Sequence, residues 1–245
     1  MKKLLALLLA AVMTLALAAC GGGNAGNAGN AGSGGANAGS NAGSAAPEDG
    51  GGAAYLVGIC QYAPHPALDA ATQGFKDALN ELLPGQVEID EQNAAGDSPT
   101  CATIANGFVS ANVDLIMANA TAPLQAAAAA TTDIPVLGTS ITEYGVALGI
   151  DNFSGTVGSN VSGTSDLAPL EQQAAMVQEW FPDARNVGLL YCSGEPNSKY
   201  QVDTVQGYLE ELGYACTQYP FADTNDMASV TQTAAGSSDV IYVPT

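Results

Sequence analysis

The chain has 245 residues, with 24 acidic side chains against 5 Lys+Arg and one His, a formal net charge of −19. Nucleic-acid binding and electrostatic docking on anionic lipid both need clustered Lys/Arg, so this balance argues against either as the main activity. Hydrophobic residues make up 47% of the chain, so a core can be buried, and residues 55–245 suffice for one large domain or two small lobes.

The first twenty residues read as an address. Met1-Lys2-Lys3 is a basic start, and Leu4 to Leu17 is an apolar run too short to span a bilayer. Leu17-Ala18-Ala19-Cys20 resembles a bacterial lipobox, which implies that Cys20 is alkylated by diacylglycerol and becomes the new N-terminus. An ordinary cleaved signal with an incidental cysteine is the alternative. Residues 1–20 are expected to be a lipoprotein signal peptide, so that the protein sits outside the cytoplasm, anchored to the cell membrane through Cys20. Each buried CH₂ of the acyl chains adds about 0.8 kcal/mol to that anchor. Residues 21–54 are low-complexity Gly/Ala/Asn/Ser, which buries no apolar surface and reads as a tether with a reach of roughly 30–35 Å. Gly21, Gly23 and Gly26 match a dinucleotide fingerprint in spacing only, because no strand precedes them.

From Tyr55 the pattern becomes regular. Tyr55 to Cys60 is a buried-strand run, and Leu68, Ala71, Phe75, Ala78, Leu79 and Leu82 then recur at helical spacing until Pro84-Gly85. Val87 to Gln92 alternates as a strand. Ser98 is a candidate N-cap, with Pro99 at the first position of a helix to about Ala111. Val113 to Ala118 is a third strand, Thr121 to about Ala130 a helix, and Ile134 to Gly138 a fourth strand. The stretch from Asp151 to Ser165 has no sustained period and reads as a break. A helix from Leu167 to Phe181, a strand Val187 to Cys192, a helix Pro196 to Leu212, a strand Tyr214 to Tyr219, a helix from Asp226 to about Ala235 and a strand Val240 to Val243 follow.

Repeated strand–helix units of one polarity predict an α/β fold of two Rossmann-like, doubly wound lobes: residues 55–164 with a hinge segment, and residues 165–245. Ligands of open α/β sheets lie beyond the carboxyl ends of the strands, and facing lobes make a cleft there. The candidate binding residues are therefore Gln61, Tyr62, Asn119, Thr121, Thr139 and Ser140 in the first lobe. Asp166 follows at the crossover, with Glu195, Asn197 and Thr245 in the second lobe.

Gly58-Ile59-Cys60-Gln61 with His65 to Asp69, Gln92-Asn93 with Gly96-Asp97, and Ala118 to Thr121 form an ordered series of short motifs. Asp133 to Val136, Gly163 to Leu167, Asn197-Ser198 and Ile241 to Thr245 continue it. Together they resemble the ABC-transporter substrate-binding lipoproteins of the tryptophan/tyrosine type. That resemblance covers nearly all of residues 55–245 and implies a fold of the type I periplasmic-binding-protein kind. It implies capture of an amino acid, aromatic or hydrophobic, and work with a permease and an ATPase. The family usually has an acidic residue where Pro64 stands, and its chains continue past the Tyr242 to Thr245 motif, so the second lobe is expected to be C-terminally incomplete and weak in binding.

An amino acid needs donors for its carboxylate and acceptors for its ammonium. Arg185 precedes a strand and so sits at the wrong edge, which leaves helix N-termini and the hydroxyls of Thr121, Thr139 and Ser140. Asp166 or Glu195 would take the ammonium, and Tyr62 or Tyr191 would wall an aromatic ring. Each has a plainer reading. Thr121, Asp166, Glu195 and Asn197 also suit helix caps and turns, the tyrosines suit packing, and His65 suits a loop between two prolines.

Cys60, Cys101, Cys192 and Cys216 are even in number. Cys60 with Cys101 and Cys192 with Cys216 would each pair within a lobe, but Cys60 and Cys192 sit at strand ends and equally suit buried small apolar residues. No cofactor or metal is expected: there is no Cys-x-x-Cys and only one histidine. The sequence also lacks a P-loop and a Gly-x-Ser-x-Gly elbow, which leaves an α/β-hydrolase-like enzyme resting on fold analogy. A lipid-anchored ligand sensor without a transporter is the other alternative.

Overall fold

The computed structural model describes residues 54–245. The expected signal peptide, Cys20 and all but the last residue of the expected tether lie outside them.

Eight strands and seven helices alternate along the described residues. β1 (Tyr55–Gln61), α1 (Pro66–Leu82), β2 (Val87–Asn93), α2 (Ser98–Ala111), β3 (Leu115–Asn119), α3 (Thr121–Ala130), β4 (Val136–Ile141), α4 (Tyr144–Leu148) and β5 (Val161–Ser165) build the first sheet and its cover. α5 (Leu170–Trp180), β6 (Asn186–Cys192), α6 (Pro196–Glu211), β7 (Ala215–Phe221), α7 (Thr224–Ser237) and β8 (Val240–Tyr242) build the second. The strand orders are β2-β1-β3-β4-β5 and β7-β6-β8, and every ladder is parallel.

Parallel strands stay in place because helices cover both faces. Val57, Ile59 and Met117 pack against Phe75 and Leu79 of α1 on one face. Cys60, Ile116 and Ala118 pack with Cys101, Phe108 and Leu124 on the other. Gly58 is required where α2 crosses β1: a Cβ there would lie 2.7 Å from the Phe108 ring. Val187, Leu189, Tyr191, Val202, Val205 and Leu209 form the second core.

The two halves repeat one fastening. Asp114, ahead of β3, accepts the Leu56 N–H at 2.8 Å, and Asp239, ahead of β8, accepts the Arg185 and Asn186 N–H groups at 2.9 Å each. Those backbone donors hold the Asp239 carboxyl below its ordinary pKa.

Several expected boundaries move. The stretch read as a break contains β5, which holds its place through its ladder with β4 and the single buried side chain Val161. α4 was not expected; it is one short turn capped by the Glu143 carboxylate, which accepts the Val146 N–H at 2.6 Å. Asp97, not Ser98, caps α2, accepting the Thr100 N–H at 2.9 Å. β3 begins at Leu115 because Asn112 closes α2 in a left-handed conformation, φ 52°. α5 begins at Leu170, after Pro169. β7 runs through Pro220 to Phe221, and an edge strand tolerates a residue without an N–H.

All four described cysteines are free thiols. Of the two readings left open, a pairing of Cys192 with Cys216 conflicts with the register. Cys216 stands beside Val187 and Cys192 beside Phe221, so five rungs, roughly 16 Å, separate them along the ladder.

Candidate functional site

A cavity of about 510 Å³ lies at the carboxyl ends of strands from both sheets. Tyr62, Ala95 and Gly96 line it from the first lobe. Tyr191, Cys192, Glu195, Ser198, Phe221, Asp223 and Thr245 are among the residues lining it from the second. A second hollow, about 410 Å³, is lined by residues between Glu143 and Phe153 of the first lobe alone.

Backbone bonds set the first wall. The Ala94 N–H donates to Gln61 O at 2.9 Å and the Gly96 N–H to Tyr62 O at 2.8 Å, which ties the loop after β2 to the end of β1. Ala95 (φ 54°) and Gly96 (φ 81°) turn that loop through left-handed backbone, bringing two small residues beside the Tyr62 ring. Burial raises the Tyr62 phenol pKa, while the neighbouring Ser98 hydroxyl works the other way.

The second wall is fastened in the same manner. The Ser193 N–H donates to Phe221 O at 2.9 Å, joining the loops after β6 and β7. Glu195 stands at the N-cap of α6, where its carboxylate accepts the Ser198 hydroxyl at 2.8 Å rather than a backbone N–H. The Tyr191 hydroxyl donates to Gln218 Oε1 at 3.0 Å, so its ring is held in the cleft wall with its polar end already bonded.

Of the ten residues expected at the site, Tyr62, Glu195 and Thr245 line this cavity. Gln61 and Asn119 are buried beneath it in a polar knot. Gln61 Nε2 donates to Ala63 O at 2.9 Å and Asp69 Oδ1 at 2.6 Å, and Gln61 Oε1 accepts the Thr72 hydroxyl at 2.7 Å. Asn119 Nδ2 donates to Leu68 O and Thr72 Oγ1, leaving its Oδ1 buried without a partner.

The remaining five stand apart from the lining. Thr121 is the first helical residue of α3, after Ala120, whose φ of 98° is rare for a residue with a Cβ. Thr139 and Ser140 sit at an irregularity in the β4–β5 ladder, with Ser140 at φ 56°. Asp166 caps no helix; its N–H donates to Ile141 O at 3.0 Å. Asn197 donates to Thr245 O at 3.3 Å.

Sequence reading passed over Phe221 and Asp223, because it ended β7 two residues early. It also passed over Gln201. This side chain is fully buried, donates to Thr245 O at 2.8 Å and accepts the Thr245 hydroxyl at 3.0 Å. A glutamine within the apolar stripe of α6, beside Val202, Val205 and Leu209, was the available signal.

Among the described residues no group of His, Cys, Asp and Glu could hold a metal ion, and no helix is long and apolar enough to cross a membrane.

Residues 56–245 match the family model described as ABC transporter substrate binding protein. A tyrosine-binding protein of Clostridioides difficile is 38% identical over 192 residues, covering 77% of this chain and 55% of that one. A Streptococcus ABC domain solved in complex with L-Trp superposes with a TM-score of 0.73 at 34% identity, covering 78% of this chain and 65% of that one. A leucine-binding protein from Thermotoga maritima shares the fold at 17% identity and a TM-score of 0.58. The chain thus spans a little over half to just under two thirds of the length of the first two relatives.

Proposed function

We propose, on the premise that this chain belongs to the ABC transporter substrate-binding protein family, that it captures an amino acid, aromatic or hydrophobic, for an ABC importer. The observation that carries this reading is the cleft whose walls come from strand ends of both sheets. Tyr62, Tyr191 and Phe221 offer faces for an aromatic or branched side chain, and Glu195 is the acceptor for the ammonium. Asp166, Asn197 and Thr245 complete the proposed contacts on that side. Thr121, Thr139, Ser140 and the helix N–H groups near Asn119 would reach the carboxylate as the lobes close, with Gln61 holding the rim. The relatives named for tyrosine and tryptophan support this solute class.

The lobes proposed are residues 55–164 and 165–245, tethered by residues 21–54 to a lipid on Cys20 once residues 1–20 are removed. The protein then works on the outer face of the membrane beside a permease and an ATPase.

Thermal unfolding of the full chain with each of the twenty amino acids, purines and short peptides tests the reading. A ligand at 100 times its Kd adds about 2.7 kcal/mol, and an aromatic or branched amino acid is expected to give that shift. Stabilisation by no amino acid overturns the solute class. Mass measurement of the membrane-bound protein and of a Cys20→Ala variant reads the anchor, and uptake in cells that carry the transporter separates importer from sensor.

A further inference from the structure

Two buried thiols lie directly behind the cleft wall and take no part in it. Cys60 occupies the inner face of β1, 1% exposed, one residue before Gln61 and two before Tyr62. Cys101 lies in the first turns of α2, fully buried, three residues after Ser98. Helix and strand register brings them together. α2 returns antiparallel to β1, and its Phe108 ring rests on Gly58. Seven residues back along the same buried stripe of α2 is Cys101, and two residues onward along the same face of β1 is Cys60. Both displacements run the same way, roughly 10 Å on the helix and 7 Å on the strand, so one thiol overlies the other. Both belong to one core cluster.

We propose that Cys60 and Cys101 are a disulfide-forming pair that bolts the start of α2 to the end of β1, fixing the Tyr62–Ser98 side of the cleft. Each thiol gives up one proton and one electron as the S–S bond forms. The acceptor is a disulfide, that of a dithiol oxidase or oxidised glutathione, whose own S–S bond breaks as it takes up two electrons and two protons. The two neighbouring thiols influence each other unequally, and this gives the order of attack: the Cys101 pKa is lowered beside Cys60, while that of Cys60 is raised by Cys101 and by burial. Cys101 therefore attacks first, near the positive end of α2, and Cys60 displaces the mixed disulfide. Because both side chains are buried, exchange takes place as the lobe folds or when the first turn of α2 opens. The oxidising setting rests on the extracytoplasmic placement in the proposed function.

The test is to refold the full chain with oxidised glutathione, alkylate the remaining thiols and map peptic peptides by mass without reduction. The expected result is a linked pair carrying Cys60 and Cys101, lighter by two hydrogens than its reduced parts. Reduction is expected to lower Tm by about 10 °C. That drop should vanish in Cys101→Ala and persist in Cys216→Ala. Alkylation of both Cys60 and Cys101 after oxidative refolding overturns the pairing, as does linkage of either to another cysteine. A linked pair whose reduction leaves Tm unchanged overturns the bolt. The readouts involve thiols and unfolding only, so failure here is distinct from failure of any amino acid to bind.

Discussion

Gln61→Ala is the most informative single change, because one side chain joins β1, α1 and the loop that leads to Tyr62. Gln61 is 3% exposed and takes part in three hydrogen bonds, to Ala63 O, Asp69 Oδ1 and the Thr72 hydroxyl. Two are between neutral groups and are each worth about 1 kcal/mol net. The bond to Asp69 is charge-assisted, but Asp69 faces solvent, so about 1 kcal/mol is the fair allowance there as well. Truncation also strands the buried Thr72 hydroxyl as a donor, which takes the total to roughly 3–4 kcal/mol. For a body of this size that is a fall in Tm of about 6–16 °C. Urea titration followed by circular dichroism measures it. Gln73→Ala serves as the control: its bond to Asp77 is exposed and its loss should cost less than about 0.5 kcal/mol. A Gln61→Ala protein within 1 kcal/mol of the parent would refute the view that this knot holds the rim, as would a Gln73→Ala change of equal size.

Gly163→Ala should cost about 3 kcal/mol or more in the same titration. Its φ is +150° and a Cβ would come within 2.1 Å of Gly138 O, with the Tyr144 hydroxyl also in the way. Ala120→Gly should stabilise by about 1 kcal/mol, because it relieves a backbone conformation that suits only glycine. Burial pushes the Tyr144 phenol up to about 12, with Asp166 adding to the shift. Protonation of this phenol favours the folded state, so its share of stability is complete below pH 10 and falls away as pH rises from 10 toward 12. Tyr144→Phe should flatten the loss of stability over that window and remove one late-titrating phenolate from the alkaline absorbance curve.

Most of the fold was legible because a buried parallel strand is a continuous apolar run, and β1 and β6 each carry five consecutive buried residues. β5 was illegible for the same physical reason. Val-Ser-Gly-Thr-Ser offers one apolar side chain, and its pairing is decided by β4 rather than by its own composition. At the site, the topology rule points to strand ends that the cavity also touches, but it does not say which side chains turn toward that cavity. Strand alternation decides that. Val57, Ile59 and Gln61 share the α1 face with Met117 and Asn119, whereas Cys60 and Tyr62 share the α2 face. Applied to residues 57–62, period two alone would have sent Gln61 into the knot and Tyr62 to the wall. Phe221 and Asp223 needed more, since only the ladder shows that β7 continues past a proline.

The cavity carries two carboxylates, Glu195 and Asp223, and no basic side chain among its lining residues. If the proposed amino acid is the solute, it approaches as a zwitterion with no net charge but a large dipole, which a negative mouth would align before contact. For the amino acid proposed above, the ammonium would lead and the carboxylate trail, so solute orientation would be set during approach. Added salt, by screening the mouth, would blur this alignment and slow productive entry while leaving the fit of the seated molecule almost unchanged.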